Sequence, residues 1–236
     1  MADRAAAGNS AEIGGKRRAL LEIAFAYALI LSVIWSPRPL QRFLWLAAVA
    51  ALATMTVLSF QGLEACGLRR KNFFRSLWIA GAALALAAVA FAAAGRMQTL
   101  HIPTSPLRFI ATYWAYALWT FVQEFLLQCF FLLRLLRLLP GAKSAGLEAA
   151  GLFALAHLPN PILAPATLIW GFAACLLFLR YRNLYPLAIA HAIFGITIAV
   201  TIPGPAVHNM RVGLGYLTYG HRHTALLQPQ GPKRVH

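Results

Sequence analysis

The chain has 236 residues, of which 60% are hydrophobic and 11% charged, with a mean hydropathy of +0.66. A soluble domain of this length would leave much of that apolar surface as large exposed patches, so the composition excludes an ordinary soluble protein and points to a bilayer as solvent. The formal charge of +15 comes from 21 Lys and Arg against 6 Asp and Glu; because the basic residues fall mostly between apolar runs, they read as orientation signals and contacts to anionic lipid, and nucleic acid is not an expected partner.

In chain order, residues 1–18 form a polar, Ala/Gly-rich cytoplasmic segment ending in Lys16, Arg17 and Arg18. An apolar run follows without an A-x-A cleavage site and reads as a retained signal anchor. A crossing helix needs about 20 apolar residues, and candidate segments lie at 19–36, 42–61, 76–95, 109–139, 144–158, 161–180 and 185–202. The expected fold is therefore all-α, a polytopic transmembrane helical bundle of about seven to eight spans over 19–202. The fifth segment is short enough to be tilted or re-entrant. The end of the fourth, Leu132–Leu138, has the pattern of an amphipathic turn along the interface. Residues 203–236 read as a polar interfacial or disordered tail.

With the N-terminus inside, the inner segments carry Arg4, Lys16, Arg17, Arg18, Arg69, Arg70, Lys71, Arg75, Arg134, Arg137, Lys143, Arg180 and Arg182, and the outer ones carry Arg38, Arg42, Arg96 and Arg108. The bias of thirteen to four favours a cytoplasmic N-terminus. The three cysteines, Cys66, Cys129 and Cys175, have no metal or disulfide spacing and are expected as core thiols. Trp114, Trp119, Trp170, Tyr113, Tyr116 and Tyr185 read as packing or interface-belt residues. His101, His208, His221, His223 and His236 fall in loops or the tail.

Ionisable groups inside apolar segments are costly and therefore mark candidate sites. Glu124 lies within the fourth segment, with Gln123 beside it and Gln128 at i+4 on the same face. His157 closes the fifth segment, and His191 lies inside the seventh. One carboxyl and two imidazoles on three segments can converge in a bundle core. Two chemistries suit such a set. In one, Glu124 is the general base for a water that His157 and His191 orient, with an oxyanion to stabilise. In the other, Glu124, His157 and His191 bind zinc with one open position, although no H-E-x-x-H motif supports it.

The order of these residues resembles the CPBP family of CAAX-prenyl endopeptidases and bacteriocin-processing and self-immunity proteins. The family's Glu-Glu-x-x-x-Arg, Phe-x-x-x-His and His-x-x-x-Asn motifs read here as Gln123-Glu124-Phe-Leu-Leu-Gln128, Phe153-Ala-Leu-Ala-His157 and His191-Ala-Ile-Phe-Gly195. Gly67-Leu68-Arg69-Arg70 and Arg182-Asn183-Leu184-Tyr185-Pro186 also look like the family, and the likeness covers about 60–200. It implies a glutamic intramembrane endopeptidase of a bacterial cytoplasmic membrane that cleaves a membrane peptide or lipid-modified substrate. Glu124, His157 and His191 would be catalytic, and Gln123, Gln128 and Phe153 supporting. The departures are Gln123, which cannot act as a base, Gln128 for the arginine and Gly195 for the asparagine. They keep open a divergent enzyme acting by acid/base chemistry on an isoprenoid or other lipid, and a non-catalytic immunity-like or scaffold protein.

Overall fold

The computed structural model describes residues 2–60 and 62–219, with side chains from Glu12 onward. Among them the architecture is all-helical: α1 (Ala2–Ile34), α2 (Arg38–Leu58), a short α3 (Phe73–Ser76), α4 (Trp78–Arg96), α5 (Pro106–Phe125), a π-helical stretch (Leu126–Leu132), α6 (Leu133–Leu138), α7 (Ala142–Leu155), α8 (Leu163–Tyr181), α9 (Tyr185–Thr201) and α10 (Gly204–Val207). Each of the seven apolar segments falls on a helix. Four stretches, Arg38–Leu58, Phe73–Arg96, Pro106–Leu138 and Leu163–Tyr181, are long and apolar enough to cross a membrane, and Tyr185–Thr201 is a shorter apolar helix. The first segment, on α1, and the fifth are not among these helices, and the fifth is the shortest of the seven. Its helix α7 has 14 residues, a rise of about 21 Å against a hydrocarbon core of about 30 Å.

Small residues explain how α7 is accommodated. It folds back on α8 as a hairpin, and the two backbones approach closely where Gly146 faces Cys175 and Gly171 faces Ala150 and Phe153. A Cβ at Gly171 would lie 3.2 Å from the Phe153 ring, and one at Gly146 would lie 3.3 Å from Cys175 Cβ. Ala145, Ala149, Ala150 and Ala174 are buried in the same seam, the small-residue packing that membrane helices use. Elsewhere α9 packs between α4 and α5.

The connections gather at two ends of the bundle. At one end Leu184 N–H donates to Gly67 O (3.0 Å), Asn183 Nδ2 to Arg69 O and Lys71 O (2.8 and 3.0 Å), and Asn72 Nδ2 to Tyr181 O (3.0 Å). The two flanking stretches singled out in the sequence thus dock on one another. Gly67 is required there: its φ is +68°, and a Cβ would meet the Phe178 ring at 2.8 Å. At the other end His101 N–H donates to Val200 O (2.9 Å) and Gly213 N–H to Leu158 O (2.8 Å). The loops bearing Arg69, Arg70, Lys71 and Arg182 lie together at the first end, the grouping that the charge count assigns to one side.

Two expectations are sharpened. The stretch 132–138 is packed against neighbouring helices, with Leu132, Arg134 and Leu135 buried. Arg134 is 5% exposed, its Nε donating to Glu22 Oε2 (2.7 Å), its second guanidinium nitrogens to Phe130 O (2.9 Å) and Ser59 Oγ (2.6 Å), with the guanidinium over the Phe130 ring at 3.6 Å. A glutamate inside the first segment neutralises it, and this ion pair staples α6 to α1. The tail, too, is folded as far as residue 219: α10, a 3₁₀ turn (His208–Met210) and a helical stretch 213–219 follow α9. Fully buried Asn160 anchors it by donating to Val207 O and Arg211 O while accepting from Ile162 and Leu163 N–H. The tail histidines His221, His223 and His236 lie outside the described residues. The three cysteines are buried and free.

Asn183 is 1% exposed and satisfies two carbonyls of the facing loop. Replacing it with Ala leaves both without a donor, at about 1–3 kcal/mol for a buried unsatisfied group. Asn183→Ala is expected to lower the thermal midpoint of the protein in detergent micelles by several degrees. An unchanged midpoint would mean that the docked loops contribute nothing to stability.

Candidate active site

The site begins with the end of α5. Glu124 is its penultimate residue and is 0% exposed. Immediately after it the helix widens into the π-helical stretch, a rare conformation often found at functional sites. Leu127 to Leu132 are all buried there, so this part of the chain is packed on every face rather than along one stripe.

A carboxyl in such a place needs donors. Two elements supply them, and a third brings an imidazole close. Trp170 Nε1 on α8 donates to Glu124 Oε1 (2.7 Å), and Gln128 Nε2 in the π-helical stretch donates to Oε2 (3.1 Å). On α9, His191 Nδ1 lies 3.1 Å from Oε1, at ion-pair distance but out of line for an aligned hydrogen bond. Gln128 Oε1 is left buried without a partner among the described residues.

Phe153 connects the second imidazole to the first. Its ring meets His157 edge-on at 4.8 Å between centroids and His191 at 5.7 Å. His157, in the α7–α8 turn, places Nδ1 2.7 Å from Phe153 O. A carbonyl only accepts, so Nδ1 of the neutral ring carries the proton and Nε2 keeps its lone pair.

These groups border a cavity of about 900 Å³. Its wall is mainly aliphatic and aromatic, from α1, α2, α5, α7, α8 and α9, and Asn209, Met210 and Val212 of the folded tail close part of it. The polar side chains on the wall include Gln123, His157, His191, Trp170 and Tyr116. Glu124 is not on it. Adjacent helical positions point about 100° apart, and here they divide: Gln123 faces the cavity, and Glu124 faces the protein behind His191. Gln123 is thus beside the cavity without being a base, and the carboxylate reaches it only through His191.

The structure brings Glu124, Gln128 and His191 together, with Phe153 joining His157 to the group. It does not assemble the zinc alternative. Among the described residues no group of three or more His, Cys, Asp or Glu side chains is placed to hold a metal ion, and the Glu124 oxygens are engaged by Trp170 and Gln128. Two site residues went unmarked in the sequence. Trp170 and Tyr116 both read there as packing or interface-belt residues. One signal was available: an indole N–H or phenol O–H in an apolar bundle requires a partner. His208 is also better ordered than a solvated loop residue, stacking on Tyr216 at 3.9 Å.

Neither a curated protein nor a solved structure matches the chain. Residues 105–197 match the family model described as type II CAAX prenyl endopeptidase Rce1-like. This region runs from the start of α5 through His191 and Gly195 and contains the three motifs. Over these residues the chain is similar to the Rce1-like type II CAAX prenyl endopeptidases, in agreement with the resemblance to the CPBP family that its motifs carry.

Proposed function

We propose that this multi-pass membrane protein is an intramembrane endopeptidase in which His191, backed by Glu124, activates the water that cleaves a lipid-modified or membrane-embedded peptide. The family supports the reaction class. The observation that carries the mechanism is the layering of the site: a fully buried carboxylate, fixed by Trp170 and Gln128, stands 3.1 Å behind an imidazole on the cavity wall.

The reaction follows from that order. A small rotation of the His191 ring aligns Nδ1–H with Glu124 Oε1, as catalytic hydrogen bonds commonly tighten on substrate binding. His191 Nε2 then takes a proton from water, and His157 Nε2 accepts the other water hydrogen without removing it. The oxygen attacks the peptide carbonyl carbon, and the imidazolium gives its proton to the leaving nitrogen as the C–N bond breaks. Glu124 accepts the Nδ1–H hydrogen bond and stabilises the imidazolium, the part played by the carboxylate of a catalytic triad. Glu124 is thus a positioning residue rather than the base itself. The apolar cavity suits a long hydrocarbon group on the substrate. The same wall favours, as a second reading, an isoprenoid or lipid substrate processed by acid/base chemistry.

The test is cleavage of a farnesylated CAAX peptide by protein purified in micelles, read by mass spectrometry, with lipid analysis of a deletion strain in parallel. His191→Ala is expected to lower kcat by about 10²–10⁴-fold. Glu124→Gln should lower it by about 10³-fold or more with KM little changed. Gln123→Glu tests whether a carboxylate on the wall adds a base, and a gain in rate is expected. A wild-type protein inactive on the peptide, together with altered lipids in the deletion strain, would transfer the reading to lipid chemistry. Full complementation of the deletion by Glu124→Gln, His157→Ala and His191→Ala would remove both enzyme readings.

Trp170→Phe provides a separate check on the layering. It keeps the aromatic bulk and deletes the 2.7 Å donor to Glu124 Oε1. A fall in kcat of about tenfold or more with KM little changed is expected, on the scale of a hydrogen bond to a charged group. Unaltered kinetics would mean that Trp170 does not position the carboxylate.

A further inference from the structure

Gly195 has no room for a side chain, and the group that fills the space is a hydroxyl. A Cβ built there would lie 1.7 Å from Tyr116 Oη and 2.5 Å from Cζ. Tyr116, on α5, therefore places its phenol in the volume that any larger residue at position 195 of α9 would take. Gly195 is four residues after His191 and on the same face of α9. Tyr116, Gly195, His191 and His157 all border the cavity. Among the described residues the Tyr116 hydroxyl has no hydrogen-bond partner. A phenol O–H in an apolar wall usually has one, so its donor is directed to whatever occupies the cavity.

We infer that Tyr116 is a catalytic residue: its O–H donates a hydrogen bond to the carbonyl oxygen of the bound peptide and to the oxyanion formed when water attacks. The inference rests on the peptidase reading above and adds the electrophilic half of the site. His191 Nε2 removes the water proton on one side of the carbonyl carbon. Negative charge gathers on the carbonyl oxygen, and the phenol, one helical turn away along α9, stabilises it while keeping its own proton. When the C–N bond breaks, the oxyanion collapses to the carboxyl product and the amine leaves with the imidazolium proton. The Gly195–Tyr116 pair is thus a single unit in which absence of a side chain on α9 admits the donor from α5.

The decisive variant is Tyr116→Phe, which deletes one oxygen and keeps the ring. On the farnesylated peptide kcat is expected to fall by about 100-fold, the usual loss for one oxyanion donor, with KM and the thermal midpoint near wild type. Gly195→Asn alone should be inactive or unstable because the new side chain meets the phenol. Tyr116→Ala/Gly195→Asn frees that volume for an amide donor and should recover activity above Tyr116→Ala. A second measurement is independent of turnover: a farnesylated peptide aldehyde, which hydrates to a tetrahedral diol, should lose about tenfold or more in affinity with Tyr116→Phe, and the matching alcohol should lose little. If Tyr116→Phe cleaves at the wild-type rate while His191→Ala does not, the oxyanion role is overturned and the peptidase reading stands. If wild type cleaves nothing yet the aldehyde preference depends on Tyr116, the peptidase reading falls and the donor role remains. Equal aldehyde affinity in wild type and Tyr116→Phe overturns the donor role whatever the turnover.

Discussion

A carboxylate enclosed by an apolar helical bundle constrains everything around it. Glu124 is without contact to water, and an uncompensated charge there would cost several kcal/mol even after relaxation. Its oxygens are satisfied by an indole from α8 and an amide from the π-helical stretch, with an imidazole of α9 at ion-pair distance. Those elements cannot slide or rotate independently without removing a donor. The carboxylate thus fixes where α8 and α9 stand against the end of α5, and hence where His191 meets the cavity. The π-helical stretch serves the same end: its wider turn buries Gln128, Cys129, Phe130 and Phe131 together, so Gln128 reaches Glu124 while the neighbouring side chains build the core.

A second tie, between buried Arg134 and half-buried Glu22, does comparable work. Arg134 and Glu22 are separated by 112 residues, and their contact joins α1 to the helix that continues the site-bearing segment. Both pairs follow one rule: a charge inside the bundle is tolerated only where a distant helix supplies its partner. The two differ in what lies beside them. Arg134 and Glu22 connect packed helices, whereas Glu124 leads through His191 to a large cavity, which makes the Glu124 site the functional candidate and the Arg134–Glu22 pair a structural tie.

Much of this was legible in the sequence because it depends on local period or on a single costly residue. The apolar segments gave the helices. The i+4 spacing of Glu124 and Gln128 gave their contact, although the helix between them is π rather than α. The likeness of the stretches around Gly67 and Asn183 to one family anticipated two pieces that turn out to be docked. What was not legible depends on long-range partner choice. Nothing near Trp170 in sequence says that its N–H meets a carboxylate 46 residues away, and Tyr116 differs locally from no other aromatic in its segment. Arg134 reads as interfacial because its amphipathic neighbourhood is local while its neutralising glutamate is not. The folded tail escaped for a related reason: its polar composition suits a solvated chain, and it is buried Asn160, in the distant α7–α8 turn, that donates to Val207 O and Arg211 O.

The departures from the family motifs make physical sense when taken together. Replacing the first glutamate by Gln123 removes a negative charge from the cavity wall, and replacing the arginine by Gln128 removes a positive one. The formal charge of that motif is therefore unchanged, with a single carboxylate in place of two and no guanidinium to neutralise the extra one. An arginine at 128 would bring a buried cation to a carboxyl group that already faces an indole and an imidazole. A glutamine supplies the needed N–H donor without it. The loss of the asparagine side chain at 195 is likewise coupled to a gain, since the phenol of Tyr116 stands in the volume it would need. Two of the three altered positions, Gln128 and Gly195, thus have another group in contact with them: the Glu124 carboxyl and the Tyr116 phenol. The altered site carries its carboxyl group one layer deeper, behind His191, and presents neutral hydrogen-bonding groups to an otherwise apolar cavity.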